Sequence, residues 1–220
     1  MQQQQLVIND LVNDVFEFIL SFIERDNWLH VLLVCKRWFA IGKKVFDPSV
    51  ENNYAIRWSS KCGRLLAVRA LSKDPRVDPS VHCSVTIYKA SRKGHLQVVQ
   101  ELMKDPRVDP SNVNNSPIRY ASKNGHLLVV RELLKDPRVD PSDNNGYALT
   151  WASKNGHLQV VRELLKDPRV DPSCNDFEAI RWANGGGIGQ ISKELMDAIY
   201  SKKRKQRIDN DEHEETKQKK

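Results

Sequence analysis

Asp136-Pro137-Arg138-Val139-Asp140-Pro141-Ser142 is spelled identically at 74–80, 105–111 and 167–173, so one seven-residue phrase recurs every 31 residues. A shorter copy, Asp47-Pro48-Ser49, falls one period earlier. Asp-Pro-Ser therefore opens five units that align without a gap: 47–77, 78–108, 109–139, 140–170 and 171–200. A fixed period between about 20 and 50 residues marks stacked supersecondary units that cannot bury their apolar faces alone.

Outward from the phrase, each unit reads as a helical hairpin. Ile56, Ile87, Ile118, Leu149 and Ile180 are followed three residues later by Ser59, Ala90, Ala121, Ala152 and Ala183. A bulky and a small residue at that spacing share one helix face and let neighbouring helices approach. Glycine at 63, 94, 125, 156 and 187 ends the first helix, where a left-handed residue is needed. The second helix, for example Leu158 to Lys166, places Leu158, Val161, Leu164 and Leu165 on one stripe. The two prolines of the repeated phrase stop it and set a turning connection. The expectation is an all-α solenoid whose loops and first helices line one concave side.

The rest of the 220 residues is consistent with that class. Hydrophobic content of 40% suffices for a core in an elongated array. No run approaches the about 20 apolar residues of a membrane helix, and Met1 with Gln2 to Gln5 lacks the order of a signal peptide. Cys35, Cys62, Cys83 and Cys174 form neither a zinc spacing nor a disulfide framework, so free thiols in a reducing cytoplasm are expected. Of the net charge of +7, the segment 201–220 supplies three units, with eight basic and five acidic residues. That segment reads as a charged disordered tail, and residues 1–8 as a polar disordered start.

Residues 9–46 form a separate module. Asn13 or Asp14 opens a helix in which Val15, Phe16, Phe18, Ile19, Leu20, Phe22 and Ile23 occupy more than one face. A unit of this size has too little interior to hide both faces, which points to a partner protein. Leu11 to Ile41 resembles an F-box, most closely at Val34-Cys35-Lys36-Arg37-Trp38. It departs at Val12, where the family usually has proline in a partner-touching Leu-Pro pair. The resemblance implies a three-helix module that docks on the Skp-type adaptor, and through it the cullin, of a ubiquitin ligase. Leu11, Val12, Val15, Ile19, Leu20, Val34, Lys36 and Trp38 are the adaptor-binding candidates. A plain helical cap for the repeats is the other reading. With no Gly/Ser-rich or Pro-rich spacer after residue 46, a fixed orientation to the repeats is expected.

The five units resemble ankyrin repeats over 47 to about 200. Asn155-Gly156-His157-Leu158-Gln159-Val160-Val161-Arg162-Glu163-Leu164-Leu165 is similar to that family's second helix, and Ala148-Leu149-Thr150-Trp151-Ala152 stands where it has Pro-Leu-His-x-Ala. The unit is shorter than the family's 33 residues. The last one carries Gly185-Gly186-Gly187-Ile188-Gly189, a degenerate terminal repeat rather than a phosphate loop. The combination also resembles ankyrin proteins of large DNA viruses of amoebae, which implies host cytoplasm and modulation of the host.

Comparison between units locates candidate sites. Scaffold residues repeat, while the tips before each first helix vary: Asn52-Asn53-Tyr54, Cys83-Ser84-Val85, Asn114-Asn115-Ser116, Asn145-Gly146-Tyr147 and Asp176-Phe177-Glu178. Trp58, Lys89, Tyr120, Trp151 and Trp182 share one position, suited either to a binding face or to packing between units. Lys89, the cation in that series, either stacks on aromatics or meets an acidic group of a partner. The target-binding candidates are Asn53, Tyr54, Trp58, Val85, Lys89, Ser116, Tyr120, Tyr147, Trp151, Phe177 and Trp182. His95, His126 and His157 lie one repeat apart, too far to share an ion, and read as turn residues bonding backbone. No catalytic cluster, metal site or cofactor is expected.

The resemblances together imply a non-enzymatic substrate receptor of an SCF-type ligase, holding an unidentified target protein on the repeats and monomeric outside its complex. An interaction scaffold or adaptor-sequestering protein is the alternative. Lys202-Lys203-Arg204-Lys205 reads as a solubilising end, with nuclear import as the other possibility, and nucleic acid is the less favoured partner.

Overall fold

A computed structural model describes residues 50–218. The eight adaptor-binding candidates between Leu11 and Trp38, and the module boundaries before residue 47, lie outside the described residues. Among the described residues there are ten helices and no strand. The first helices are α1 (Val50–Lys61), α3 (Val81–Lys93), α5 (Asn112–Lys123), α7 (Asp143–Lys154) and α9 (Cys174–Gly185). The second helices are α2 (Leu65–Ser72), α4 (Leu96–Met103), α6 (Leu127–Leu133), α8 (Leu158–Leu164) and α10 (Gly189–Gln218). First helices α3, α5, α7 and α9 stack in order, as do second helices α2, α4, α6, α8 and α10. This is a helical repeat solenoid, as the 31-residue period requires.

The core is a set of columns, one residue per unit. Ile56, Ile87, Ile118 and Leu149 are fully buried, as are Ala90, Ala121 and Ala152 three residues on. The second-helix stripe is rotated from expectation. Val160, Val161 and Leu164 are buried, whereas Leu158 and Leu165 are half-buried.

The repeated phrase is a double side-chain turn around an apolar plug. Asp136 Oδ1 accepts hydrogen bonds from the Arg138 backbone N–H and Nε, both at 3.0 Å, and Oδ2 accepts from Nη2 at 2.7 Å. Arg138, chiefly through that hydrogen bond, holds the Asp136 carboxyl below the usual carboxylate range. Asp140 Oδ1 then accepts from the Ser142 N–H at 2.9 Å and Oγ at 2.7 Å. Between these turns Val139 is buried.

Ahead of the first helix the chain makes a left-handed turn. Val113, Asn114 and Asn115 have φ of 53°, 54° and 52°, and right-handed geometry resumes at Ser116. Asparagine tolerates this region, and valine there is an outlier. The same turn occurs at Asn144-Asn145-Gly146 and at Asn175-Asp176-Phe177. Pro117 follows at the start of the right-handed helix, where its missing N–H costs nothing.

The glycine-histidine pair at the end of each first helix is a clasp between units. His157 Nε2 lies 3.0 Å from the Lys123 carbonyl oxygen, and His126 and His95 make the same contact to Arg92 and Lys61. The histidines thus bond backbone of the preceding unit. Burial, the largest cause, holds the His126 imidazole below the usual histidine value, with His157 and His95 adding to the effect and the Arg92 carbonyl opposing it. A depressed folded value means the unfolded chain takes up its proton first. The clasp's contribution is therefore complete above the unfolded value of about 6.5 and declines as pH falls through the lower folded value. The urea midpoint is expected to drop between pH of about 7.5 and about 5.5, with a smaller drop in His126→Gln; an equal drop in that variant would show that other groups carry the effect.

One column of the core is polar. Ser60, Ser91, Ser122 and Ser153 are fully buried, and their hydroxyls have no hydrogen-bond partner among the described residues. Ser122→Ala removes an unsatisfied hydroxyl and improves helix propensity, so chemical denaturation should show a gain of about 0.5–1.5 kcal/mol. A loss of stability would mean that the hydroxyl is bonded in solution.

The final unit differs most from expectation. Where 201–220 reads as disordered, α10 continues through Gln218. From Gln190 to Gln218 the sequence has no glycine or proline, and it is rich in Lys, Arg, Glu and Gln, which sustain a helix beyond its packed part. Ile191, Leu195 and Ile199 anchor that part in the core. Among the described residues no helix is long and apolar enough to cross a membrane.

Candidate protein-interaction face

The first helices carry two side-chain columns, one turn apart. One holds Trp58, Lys89, Tyr120, Trp151 and Trp182; the other holds Lys61, Arg92, Lys123 and Lys154. Their i, i+3 spacing puts Trp58, Tyr120 and Trp151 each beside a cation of the same helix, and stacking brings the next unit's ring to Arg92, Lys123 and Lys154. Lys123 Nζ stands 3.9 Å from the Trp151 ring centroid and 5.9 Å from that of Tyr120. Lys154 Nζ stands 3.6 Å from Trp182 and 4.7 Å from Trp151. Arg92 lies 5.7 Å from Tyr120. Each such contact contributes about 0.5–2 kcal/mol according to its desolvation.

Further aromatics join this face. Tyr88 meets Tyr120 edge-on at 5.0 Å, and Tyr147 meets Trp151 at 5.4 Å. Arg119 lies 4.8 Å over Tyr147, and Arg57 lies 6.0 Å from Tyr54. Trp58, Lys89, Tyr120 and Trp151 are half-buried, as are Tyr54, Val85 and Tyr147. Phe177 and Trp182 are 44% and 41% exposed. The aromatic series therefore packs between units and keeps an accessible edge. Packing between units is the reading these contacts bear out.

Two of the expected target-binding residues are placed elsewhere. Asn53 and Ser116 are each only 7% exposed. Asn53 Oδ1 accepts the Asp78 N–H at 2.9 Å, and Asn115 Oδ1 accepts the equivalent Asp140 N–H at 2.8 Å. These asparagines clip a tip to the next unit's opening turn. Lys89 stands near other cations. Burial first, then the positive charges of Arg57 and Lys61, hold its ammonium below the usual lysine value.

The sequence reading passes over the cations of the second column and Arg119. The second column was visible as a basic residue recurring three places after the ladder, at Lys61, Arg92, Lys123 and Lys154. Also visible was the near absence of acid between the tips and the glycines: over 54–62, 85–93, 116–124, 147–155 and 178–186 the only carboxylate is Glu178. Glu178 accepts from Trp182 Nε1 at 3.1 Å and also bonds Asn175 Nδ2. Among the described residues no group of three His, Cys, Asp or Glu is placed to hold a metal ion.

A stacked helical-hairpin array with a side-chain-rich edge on its first helices is a scaffold for gripping other proteins. Residues 86–176 match the family model for ankyrin repeats, in three copies. No curated protein matches the chain. Ankyrin repeats imply a role in protein–protein interaction.

Proposed function

We propose that this protein is the substrate-recognition subunit of an SCF-type cullin–RING ubiquitin ligase. The first-helix face of the repeats holds a target protein, while residues 9–46 dock on the Skp-type adaptor. The observation that carries the reading is the pairing, in one chain, of ankyrin repeats with the F-box-like spelling Val34-Cys35-Lys36-Arg37-Trp38. The protein catalyses nothing itself. It raises the local concentration of a target lysine beside the ligase's charged partner enzyme, and proximity of this kind accelerates transfer without any new chemical group.

A second reading, an interaction scaffold or adaptor-sequestering protein without ubiquitin transfer, is favoured by Val12 at the position of the family's proline. Either way the expected compartment is the cytoplasm, a host's if the chain is viral. For the basic run, Lys202 Nζ donates to the carbonyls of Val170 at 3.2 Å and Pro168 at 3.4 Å. That favours a role in holding α10 over a nuclear import signal.

The test is a pull-down of the purified chain with Skp-type adaptor and cullin, beside Leu20→Asp and Trp38→Ala. Adaptor retained by the parent and lost in both variants supports the receptor reading, and ubiquitin transfer to a bound target then separates it from sequestration. No adaptor binding by a folded parent overturns it in favour of the scaffold.

A further inference from the structure

The cations of this protein fall into two populations. On the second helices and connecting turns they are paired with acids: Arg69 with Glu101, Arg131 with Glu163, Arg162 with Glu194, and Arg138 with Asp136. On the first-helix face Arg92, Lys123 and Lys154 form no ion pair among the described residues and lie against rings instead. Over 54–62, 85–93, 116–124, 147–155 and 178–186 the first helices carry Arg57, Lys61, Lys89, Arg92, Lys93, Arg119, Lys123, Lys154 and Arg181 against Glu178, with Glu51, Asp143 and Asp176 lying ahead of these stretches at the tips. Like charges one repeat apart repel one another, and after burial the charges of Arg57 and Lys61 add to what holds the Lys89 ammonium below its usual value. A row of this kind is costly in the free protein and is relieved by negative charge from outside.

We propose that the row formed by Arg92, Lys123 and Lys154 is the docking site for an extended acidic segment of the partner protein, its carboxylates meeting one cation per repeat. This rests on the reading that the first-helix face is the partner surface. An ammonium has three donors, and the ring beneath engages only part of that capacity. The outward N–H groups are left to bond carboxylate oxygens in charge-assisted contacts. The flanking rings hold each cation in place, so less side-chain entropy is lost on binding than with a free surface lysine. A single-stranded nucleic acid would also bring negative charge, but it needs open ring faces on which bases stack. Trp151 has two ammonium groups over its ring and Trp182 has one at 3.6 Å. The geometry favours the peptide.

The experiment titrates the full chain into a fluorescein-labelled peptide of alternating glutamate and glycine, about twelve residues and about 40 Å long when extended. Fluorescence anisotropy is read at low and at raised salt, and a labelled oligothymidylate is run in parallel. The double variant Lys123→Gln/Lys154→Gln is expected to bind the peptide about tenfold more weakly, and Lys123→Arg/Lys154→Arg to retain it. The control Lys135→Gln/Lys166→Gln removes lysines that pair with Glu132 and Glu163 on the second-helix side, and should bind as the parent does. Circular dichroism confirms that each variant is folded.

Saturable, salt-sensitive peptide binding with that pattern supports the proposal. Equal loss in the control double would put the acidic ligand on another surface and fail the first-helix reading itself. No peptide binding while the adaptor pull-down succeeds would overturn the acidic chemistry alone. Tighter binding of oligothymidylate, lost in the same double variant, would overturn it in favour of nucleic acid.

Discussion

Leu133→Ala is expected to lower the unfolding free energy by about 2–5 kcal/mol, the range found when a fully enclosed leucine is truncated and its site relaxes only partly. Leu133 has no exposed surface, and it lies on α6, which stacks between α4 and α8 and rests on α5. A cavity there weakens the central unit and both of its interfaces. In a linear array, stability is close to a sum of unit and nearest-neighbour terms, so a central lesion reaches two interfaces and a terminal one reaches fewer. Leu71→Ala, on α2, removes a residue already 7% exposed and should cost less. Urea unfolding of the two variants checks this ordering, and a lower slope for Leu133→Ala would show the array separating into segments. A cost below about 1 kcal/mol at Leu133 would mean that the helices close over the gap and the column is loosely packed.

Much of this was legible because the repeat makes each position a fivefold observation. The bulky residue at Ile118 and its equivalents, the small residue at Ala121, and the glycine that ends each first helix recur in register, and their burial follows from helical spacing alone. The candidate interaction face was legible in its aromatic column and less so in its cations, because a lysine such as Lys154 contacts Trp182 across a unit boundary. Spacing within one helix does not reveal such a contact. Asn53 and Ser116 show the opposite difficulty. Variation among units places them at a tip, yet a left-handed turn folds that tip inward and spends the asparagine on a backbone N–H of the next unit. The helix of 201–218 was obscured by composition, since charge without apolar residues describes a disordered tail and a solvated helical extension equally well.

Gly125→Ala is expected to cost about 2–4 kcal/mol, from two separable sources. The first is conformational: Gly125 has φ of +75°, where a side chain costs about 1–2 kcal/mol. The second is the clasp, because a Cβ on Gly125 would lie 2.6 Å from His157 Nδ1 and 2.8 Å from Cε1. The imidazole must then swing away and give up its bond to the Lys123 carbonyl, a loss of about 0.5–1.5 kcal/mol in addition to the disturbed packing. Gly156 separates the two. Its φ is +77°, but the next unit supplies Ile188 in place of histidine, and a Cβ there would meet Ile188 Cδ1 at 3.4 Å, an ordinary contact. Gly156→Ala should therefore show only the conformational cost. A double-mutant cycle makes the argument strict: with His157→Ala the space opposite Gly125 is empty, so Gly125→Ala should cost less in that background than in the parent. Strictly additive effects would show that the imidazole is not what excludes the methyl group, and the clasp would then be no more than a consequence of the turn.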